Sequence, residues 1–217
     1  MDDPAAPLAD GRLPDNGPTL GPTLEPLLTA GAIAGRVGQM GREISAFYEP
    51  GRRGVGSDSA SPDDSADRPL TVLVVMTGGL VFGADLIRAI GRPLQLGIVH
   101  ARSYRGQSTT SGELSLATGT LPELNGHDVL IVDDIFDTGK TLAAIAAEVS
   151  SRGAASVKTA VLLHKQVAHA TDLRPTWSGF EIADRFVVGY GLDYDGRYRN
   201  RPDVCVLSFR DSRAADA

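Results

Sequence analysis

From residue 70 onward the chain is punctuated by short apolar runs: Leu70–Met76 (LTVLVVM), Leu94–His100 (LQLGIVH), Val129–Val132 (VLIV) and Val157–Leu163 (VKTAVLL). Each is bounded by charge, glycine or proline and is rich in β-branched residues, which predicts strands covered on both faces. Between them lie segments that predict helices, over about Val81–Ile90 and over 139–151, where LAAIAA is almost wholly Ala, Leu and Ile. Strands alternating with helices predict an α/β fold with a twisted, mostly parallel sheet flanked by helices on both faces. Upstream, Ile33, Val37, Met40, Ile44 and Phe47 recur at spacings of four and three, an amphipathic helix within 27–48. Gly31, Gly35, Gly38 and Gly41 weaken that helix, so it depends on tertiary packing. Beyond Leu163 the pattern changes, and FEIADRFVVGYGLDY and DVCVLSF predict short strands and loops, a small hood over the site.

The polar stretches set the boundaries. Six of the 13 prolines fall in the first 26 residues, among Gly, Asp and Thr, which predicts a disordered tail over 1–26. Residues 51–68 (GRRGVGSDSASPDDSADR) predict an exposed insertion, and 211–217 a short C-terminal tail, around one domain spanning 27–210. Ala101–Gly119 (ARSYRGQSTTSGELSLATG) is dense in Ser, Thr and Gly; a loop this long inside a compact domain is usually a lid or a binding loop. GELSLATG within it has the length of a small hairpin.

Composition narrows the functional classes. A net charge of −6 gives no reason to expect nucleic acid as a partner. No apolar stretch is long enough to span a membrane, and the acidic start (MDDPAAPLADG) lacks the order of a signal peptide. The lone cysteine, Cys205, sits in an apolar run and fits a reducing compartment, so a cytoplasmic location is expected. His100, His127, His164 and His169 show no metal-ligand spacing and read as structural or exposed.

The chemistry concentrates in VLIVDDIFDTGKTL, residues 129–142. Asp133, Asp134, Asp137, Thr138, Gly139, Lys140 and Thr141 lie between a buried strand and a helix, where α/β proteins bind ligands. DTGKT is not a P-loop, because the glycine required five positions before Gly139 is Asp134, which would repel nucleotide phosphates. The opening of a helix still favours an anion, through unpaired N–H groups and the helix dipole. Gly139 permits close approach, while Thr138 and Thr141 add hydroxyl donors. Asp133 and Asp134 suit the acceptance of hydrogen bonds from two sugar hydroxyls. Together these residues ask for a ribose 5′-phosphate, with Asp137 placed for proton transfer. Taken alone, Asp137 would read as a helix N-cap.

This stretch closely resembles the phosphoribosyl-diphosphate-binding motif of type I phosphoribosyltransferases, in the form found in hypoxanthine-guanine phosphoribosyltransferases. VVMTGGLVFGADLIRAI resembles the family's first strand, pyrophosphate loop and helix, and SYRGQST contains the Ser103-Tyr104 pair that begins its mobile catalytic loop. LLHKQ and FEIADRFVVGYGLDYDGRYRN resemble its purine-binding segments, in order and at the expected spacing, so the likeness covers about residues 70–208. It implies transfer of a 5-phosphoribosyl group from 5-phosphoribosyl 1-diphosphate to hypoxanthine or guanine. It further implies that Asp133 and Asp134 hold the ribose hydroxyls, that Asp137 through Thr141 cradle the 5′-phosphate, and that Asp137 is the catalytic acid or base at purine N7. Lys165 would reach the 6-oxo group, Phe186 stack on the purine and the Val187 backbone read its edge. Thr77, Gly78 and Arg199 would face the pyrophosphate. Asp193, beside the purine segment, would hold Mg²⁺ together with Asp133 and Asp134. A homodimer or homotetramer is expected by the same resemblance.

The chain departs from the family at Thr77, where many members carry lysine; the loop there often contains a non-proline cis peptide, expected at Met76–Thr77. Two alternatives stand beside the salvage enzyme. One is a phosphoribosyltransferase preferring xanthine, since Lys165 does not separate three bases that all carry O6. The other is a non-catalytic sensor of phosphoribosyl diphosphate, which would be expected to show a basic face or to lose Asp137, Lys165 or Phe186.

Overall fold

The computed structural model describes residues 22–49, 68–103, 114–117 and 121–209, with the backbone alone for 101–103 and 114–117. The expected insertion through residue 67, the C-terminal tail and Tyr104 lie outside the described residues.

Five parallel strands form the frame: β2 (Leu70–Met76), β3 (Gln95–Ser103), β5 (Asp128–Phe136), β6 (Ser156–Lys165) and β7 (Trp177–Ile182). With β4 (Leu114–Ala117) they make a six-stranded sheet in the order β4-β3-β2-β5-β6-β7, β4 being antiparallel to β3. The expected loop over 101–119 is therefore partly strand. β3 runs on to Ser103 and β4 pairs back on it from Ser103–Leu114 to His100–Ala117, rather than folding into a hairpin of its own.

Two helices cover one face and one covers the other. α1 (Ala30–Phe47) buries Ile33, Val37, Met40 and Ile44 against α2 (Leu80–Ala89) and the Val72, Val74, Leu130 and Val132 face of the sheet. Of the five periodic residues, Phe47 is the exception. It is half exposed and meets Trp177 edge-on at 5.3 Å, while the next residue, Tyr48, is buried. Thr29 caps α1, its hydroxyl accepting from Ala32 N at 3.2 Å. Gly41 marks the helix crossing: a Cβ there would meet Ala89 at 2.5 Å. On the opposite face α3 (Lys140–Ser151) packs Leu142, Ile145 and Val149 on Leu73, Val75, Val129 and Ile131. The strands are thus buried on both faces, as their unbroken apolar runs require.

The hood is a separate three-stranded antiparallel sheet of β1 (Thr23–Leu28), β9 (Val204–Ser208) and β8 (Val187–Val188), in the order β1-β9-β8. Here the sequence expectation is corrected. Thr23–Pro26 belong to a strand, not to a tail, and FEI of the expected hood belongs to β7 of the main sheet. Pro26 is compatible with β1 because, among the described residues, β1 is an edge strand paired only with β9, with a register shift at Pro26–Leu28. Among the described residues no helix is long and apolar enough to cross a membrane.

Candidate active site

The polar groups of interest gather at the carboxyl ends of β2, β5 and β6, joined by Asp184 after β7 and by Asp193 and Arg199 of the hood loop. β5 carries Asp133 and Asp134 near its end, and the chain then turns through Asp137, Thr138 and Gly139 into α3. Gly139 adopts the left-handed conformation (φ 82°), and a Cβ there would meet Phe136 at 2.8 Å and Thr171 Oγ1 at 2.7 Å. No other residue type satisfies both constraints. α3 has no side-chain cap, so its first-turn N–H groups stay available to an anion. The capping role that Asp137 alone would suggest is thereby excluded; its side chain is half exposed instead. Asp133–Gly139 with Thr141 and Leu142 line a cavity of about 250 Å³. Lys140 is exposed and does not line it, so any contribution from this residue is made by its backbone.

The paired carboxylates are electrostatically loaded. Asp133 is 8% exposed, and burial, then the adjacent Asp134 carboxylate, pushes its carboxyl well above the ordinary range. Burial also raises Asp134, against the pull of its hydrogen bonds and of the Arg199 guanidinium. Two buried acids this close hold a proton tightly until a hydroxyl donor or a cation relieves them. That is a donor set suited to sugar hydroxyls or to a hard divalent ion. Mg²⁺ characteristically uses one or two carboxylates and completes its shell with substrate oxygens and water.

A second turn, Thr77-Gly78-Gly79, links β2 to α2 and follows a cis peptide at Met76–Thr77. Gly79 N–H is committed to Val75 O at 3.1 Å, which leaves Thr77 and Gly78 as the turn's donors. Gly78 has no room for a side chain, because a Cβ would collide with the Asp134 carboxylate. A Cβ on Gly191 of the hood would collide with Gly78 O. The same hood loop holds Arg199, which donates to Gly191 O at 2.5 Å and pairs with Asp193 at 2.6 Å. Asp193 also accepts from Gly196 N at 2.8 Å.

Lys165, at the end of β6, reaches both Asp184 (2.9 Å) and Asp137 Oδ2 (3.5 Å), and is only 12% exposed. Asp184 was not singled out by sequence; its signal was its place two residues before Phe186. Phe186 is 52% exposed, unlike a core residue, and stands edge-on to Tyr194 at 5.7 Å. Val187 is buried in β8, the edge strand of its sheet. Ser103 ends β3, and Tyr104 lies outside the described residues. His164 and His169, read as structural or exposed, are partners of one another, meeting at 3.2 Å beside the turn before α3, a pairing that no sequence spacing signals.

Comparison with known proteins agrees with this geometry. The sequence model of the phosphoribosyl transferase domain matches residues 59–195. The chain is 36% identical over 183 residues to a hypoxanthine-guanine phosphoribosyltransferase of Mycobacterium avium, covering 84% of this chain and 85% of that protein. It is 41% identical over 136 residues to the Lactococcus lactis enzyme of the same name, covering 63% and 74%. Among solved structures, a Trypanosoma cruzi hypoxanthine phosphoribosyltransferase in a ternary substrates complex superposes with a TM-score of 0.72 at 33% identity, covering 85% of this chain and 95% of that one. By its domain match, its identity to these relatives and its shared fold, the chain belongs to the phosphoribosyl transferase family, among the hypoxanthine-guanine phosphoribosyltransferases.

Proposed function

We infer that this protein is a purine salvage transferase, moving the 5-phosphoribosyl group of 5-phosphoribosyl 1-diphosphate to N9 of hypoxanthine or guanine and giving IMP or GMP and pyrophosphate. The observation that carries the reading is the 3.5 Å contact of Lys165 with Asp137 beside an uncapped helix N-terminus. N7 and O6 are neighbours on one edge of a 6-oxopurine. A carboxyl and an ammonium side by side match that edge, and adenine, with an amino group at C6, does not.

In this reading the amides of Asp137–Thr141 hold the 5′-phosphate, and Asp133 and Asp134 accept hydrogen bonds from the ribose hydroxyls. Binding relieves the electrostatic load on the acid pair, so affinity is gained where the empty protein is strained. Asp137 exchanges a proton with N7, Lys165 donates to O6 and Asp184 steadies the ammonium. Phe186 offers its exposed face to the purine, and the open edge of Val187 its backbone. Thr77 and Gly78 face the pyrophosphate with Arg199, which must exchange Asp193 for the ligand. Asp193, Asp133 and Asp134 are the residues proposed to hold Mg²⁺. Among the described residues no three acidic, histidine or cysteine side chains cluster as one metal site, so one or two of these carboxylates would hold the ion, with substrate oxygens and water completing its shell. When bound it neutralises charge on the leaving pyrophosphate. Positive charge grows on the ribose as its bond to pyrophosphate breaks, so water has to be excluded; the segment beginning at Ser103-Tyr104 is proposed to close over the site. The buried lone Cys205 supports a cytoplasmic location, and the exposed Leu80, Leu96 and Ile98 support assembly with further copies of the chain.

Steady-state assays with phosphoribosyl diphosphate, Mg²⁺ and each of hypoxanthine, guanine, xanthine and adenine test the proposal. Turnover of hypoxanthine or guanine with adenine inert is expected. Binding of phosphoribosyl diphosphate without turnover of any base would overturn the enzyme in favour of a sensor.

A further inference from the structure

Three consecutive residues of the β6–β7 connection track three consecutive residues of the turn before α3. His169 Nδ1 lies 2.7 Å from Asp137 O, Ala170 N donates to Thr138 O at 2.9 Å, and Thr171 Oγ1 stands so close to Gly139 that a Cβ there would come within 2.7 Å of it. We propose that His169 is a positioning residue for the phosphate turn, locked in one tautomer by His164.

The hydrogen-bond roles follow from one fact: a carbonyl oxygen only accepts. His169 Nδ1 therefore carries the proton that it gives to Asp137 O, and in the uncharged tautomer that does so Nε2 keeps a lone pair. His164 Nε2, 3.2 Å away, must be the donor to that lone pair. His164 Nδ1 is then an acceptor, facing the Ser178 hydroxyl at 3.5 Å. The chain of donors runs from Ser178 on β7 through His164 on β6 to His169 and the turn. Both rings pack on Phe136, His164 edge-on at 5.1 Å and His169 tilted at 4.8 Å, which fixes their planes. Burial and then the proximity of His169 hold the basicity of His164 below the usual value, with Arg174 adding to the shift and Glu181 opposing it, so His164 is the ring that stays uncharged.

The purpose lies in what the turn shows to its ligand. A carbonyl turned toward a phosphate would repel it. Donors from residues 169 and 170 engage the two carbonyls of Asp137 and Thr138, fixing the peptide planes so that the N–H groups face the opposite way. The same restraint sets the backbone from which the Asp137 carboxylate projects. The inference rests on the reading that this turn holds the 5′-phosphate.

The test compares His169→Ala, which removes the donor, with His169→Asn, whose side-chain amide nitrogen occupies the place of Nδ1. Binding of IMP, of inosine (which lacks the phosphate) and of hypoxanthine is measured by calorimetry on the full chain, together with Tm and the KM of each substrate. For His169→Ala, IMP affinity and the KM for phosphoribosyl diphosphate are expected to worsen by about three- to ten-fold, as for the net loss of one hydrogen bond. Inosine and hypoxanthine should change less than about two-fold, and His169→Asn should recover most of the loss. Equal weakening of IMP, inosine and hypoxanthine would overturn the proposal, as would an Asn variant no better than Ala at equal Tm. If the unaltered protein fails to prefer IMP over inosine, it is the phosphate-binding reading itself that fails.

Discussion

At the carboxyl ends of the neighbouring strands β2 and β5, two glycine turns open two helices, and they are held in different ways. The Thr77–Gly79 turn is confined by close approach: Gly78 lies between the Asp134 carboxylate and the backbone of Gly191, with no charged side chain of its own. The Asp137–Gly139 turn is confined by hydrogen bonds to its carbonyls and carries a carboxylate that no cap consumes. Neither helix has a side-chain cap, so both present amides to an anion. The first turn is a shape, tolerant of chemistry at its rim; the second is a shape with a reactive group attached. Loss of function should therefore split into failures of fit at one turn and failures of proton transfer at the other.

The sharpest division comes from Asp137→Asn. Removing the proton acceptor should lower kcat by about 10²–10⁴-fold while the KM for phosphoribosyl diphosphate moves little, as read by steady-state kinetics. Retention of full kcat would remove the chemical distinction between the turns. Gly78→Ala should do the reverse, displacing Asp134 and the hood loop and raising the KM for phosphoribosyl diphosphate by about 10²-fold. Gly139→Ala combines left-handed backbone strain of about 1–2 kcal/mol with its collisions, so a drop in Tm of several degrees, roughly 2–4 °C per kcal/mol, should accompany the loss of affinity. Calorimetric scans of the two alanine variants would separate them.

Asp133→Asn probes what the two turns share. The folded protein holds the Asp133 proton more tightly than the unfolded chain does, so this acid subtracts from stability above its unfolded pKa, and the loss is relieved as pH falls through the raised value toward the unfolded one. The Asn variant should melt higher than the unaltered protein at neutral pH, with the gap closing on acidification, yet bind phosphoribosyl diphosphate more weakly. A lower Tm at neutral pH would contradict the assigned direction. The smallest effect is expected from Thr77→Lys. A cation at the rim of the first turn should lower the KM for phosphoribosyl diphosphate by roughly several-fold with kcat unchanged, an effect that should shrink with added salt.

The frame and the second turn were legible because their signals are local. Val129–Val132 is apolar without interruption since both of its faces are covered, and Asp133–Thr141 is contiguous, so its chemistry could be read as one unit. Contacts that depend on distant chain were not legible. Pro26 disguised β1 as tail, although proline is tolerated on an edge strand whose partner, β9, lies at the other end of the sequence. The His164–His169 pair exists only because the connection after β6 doubles back under Phe136. Asp184 gained meaning only when Lys165 was seen between it and Asp137.

The pairing of Thr23 with Ser208 has a bearing on biosynthesis. β1 leaves the ribosome long before β9, its one partner among the described residues, so for most of translation it lacks that partner. Pro26 and Glu25 make that strand a poor template for other chains meanwhile. The frame can form as it is made, but the hood, and with it the place of Val187 and Phe186, is completed only when β9 arrives. The nascent chain thus acquires the acidic turn after β5 before the hood that carries Phe186 and Val187.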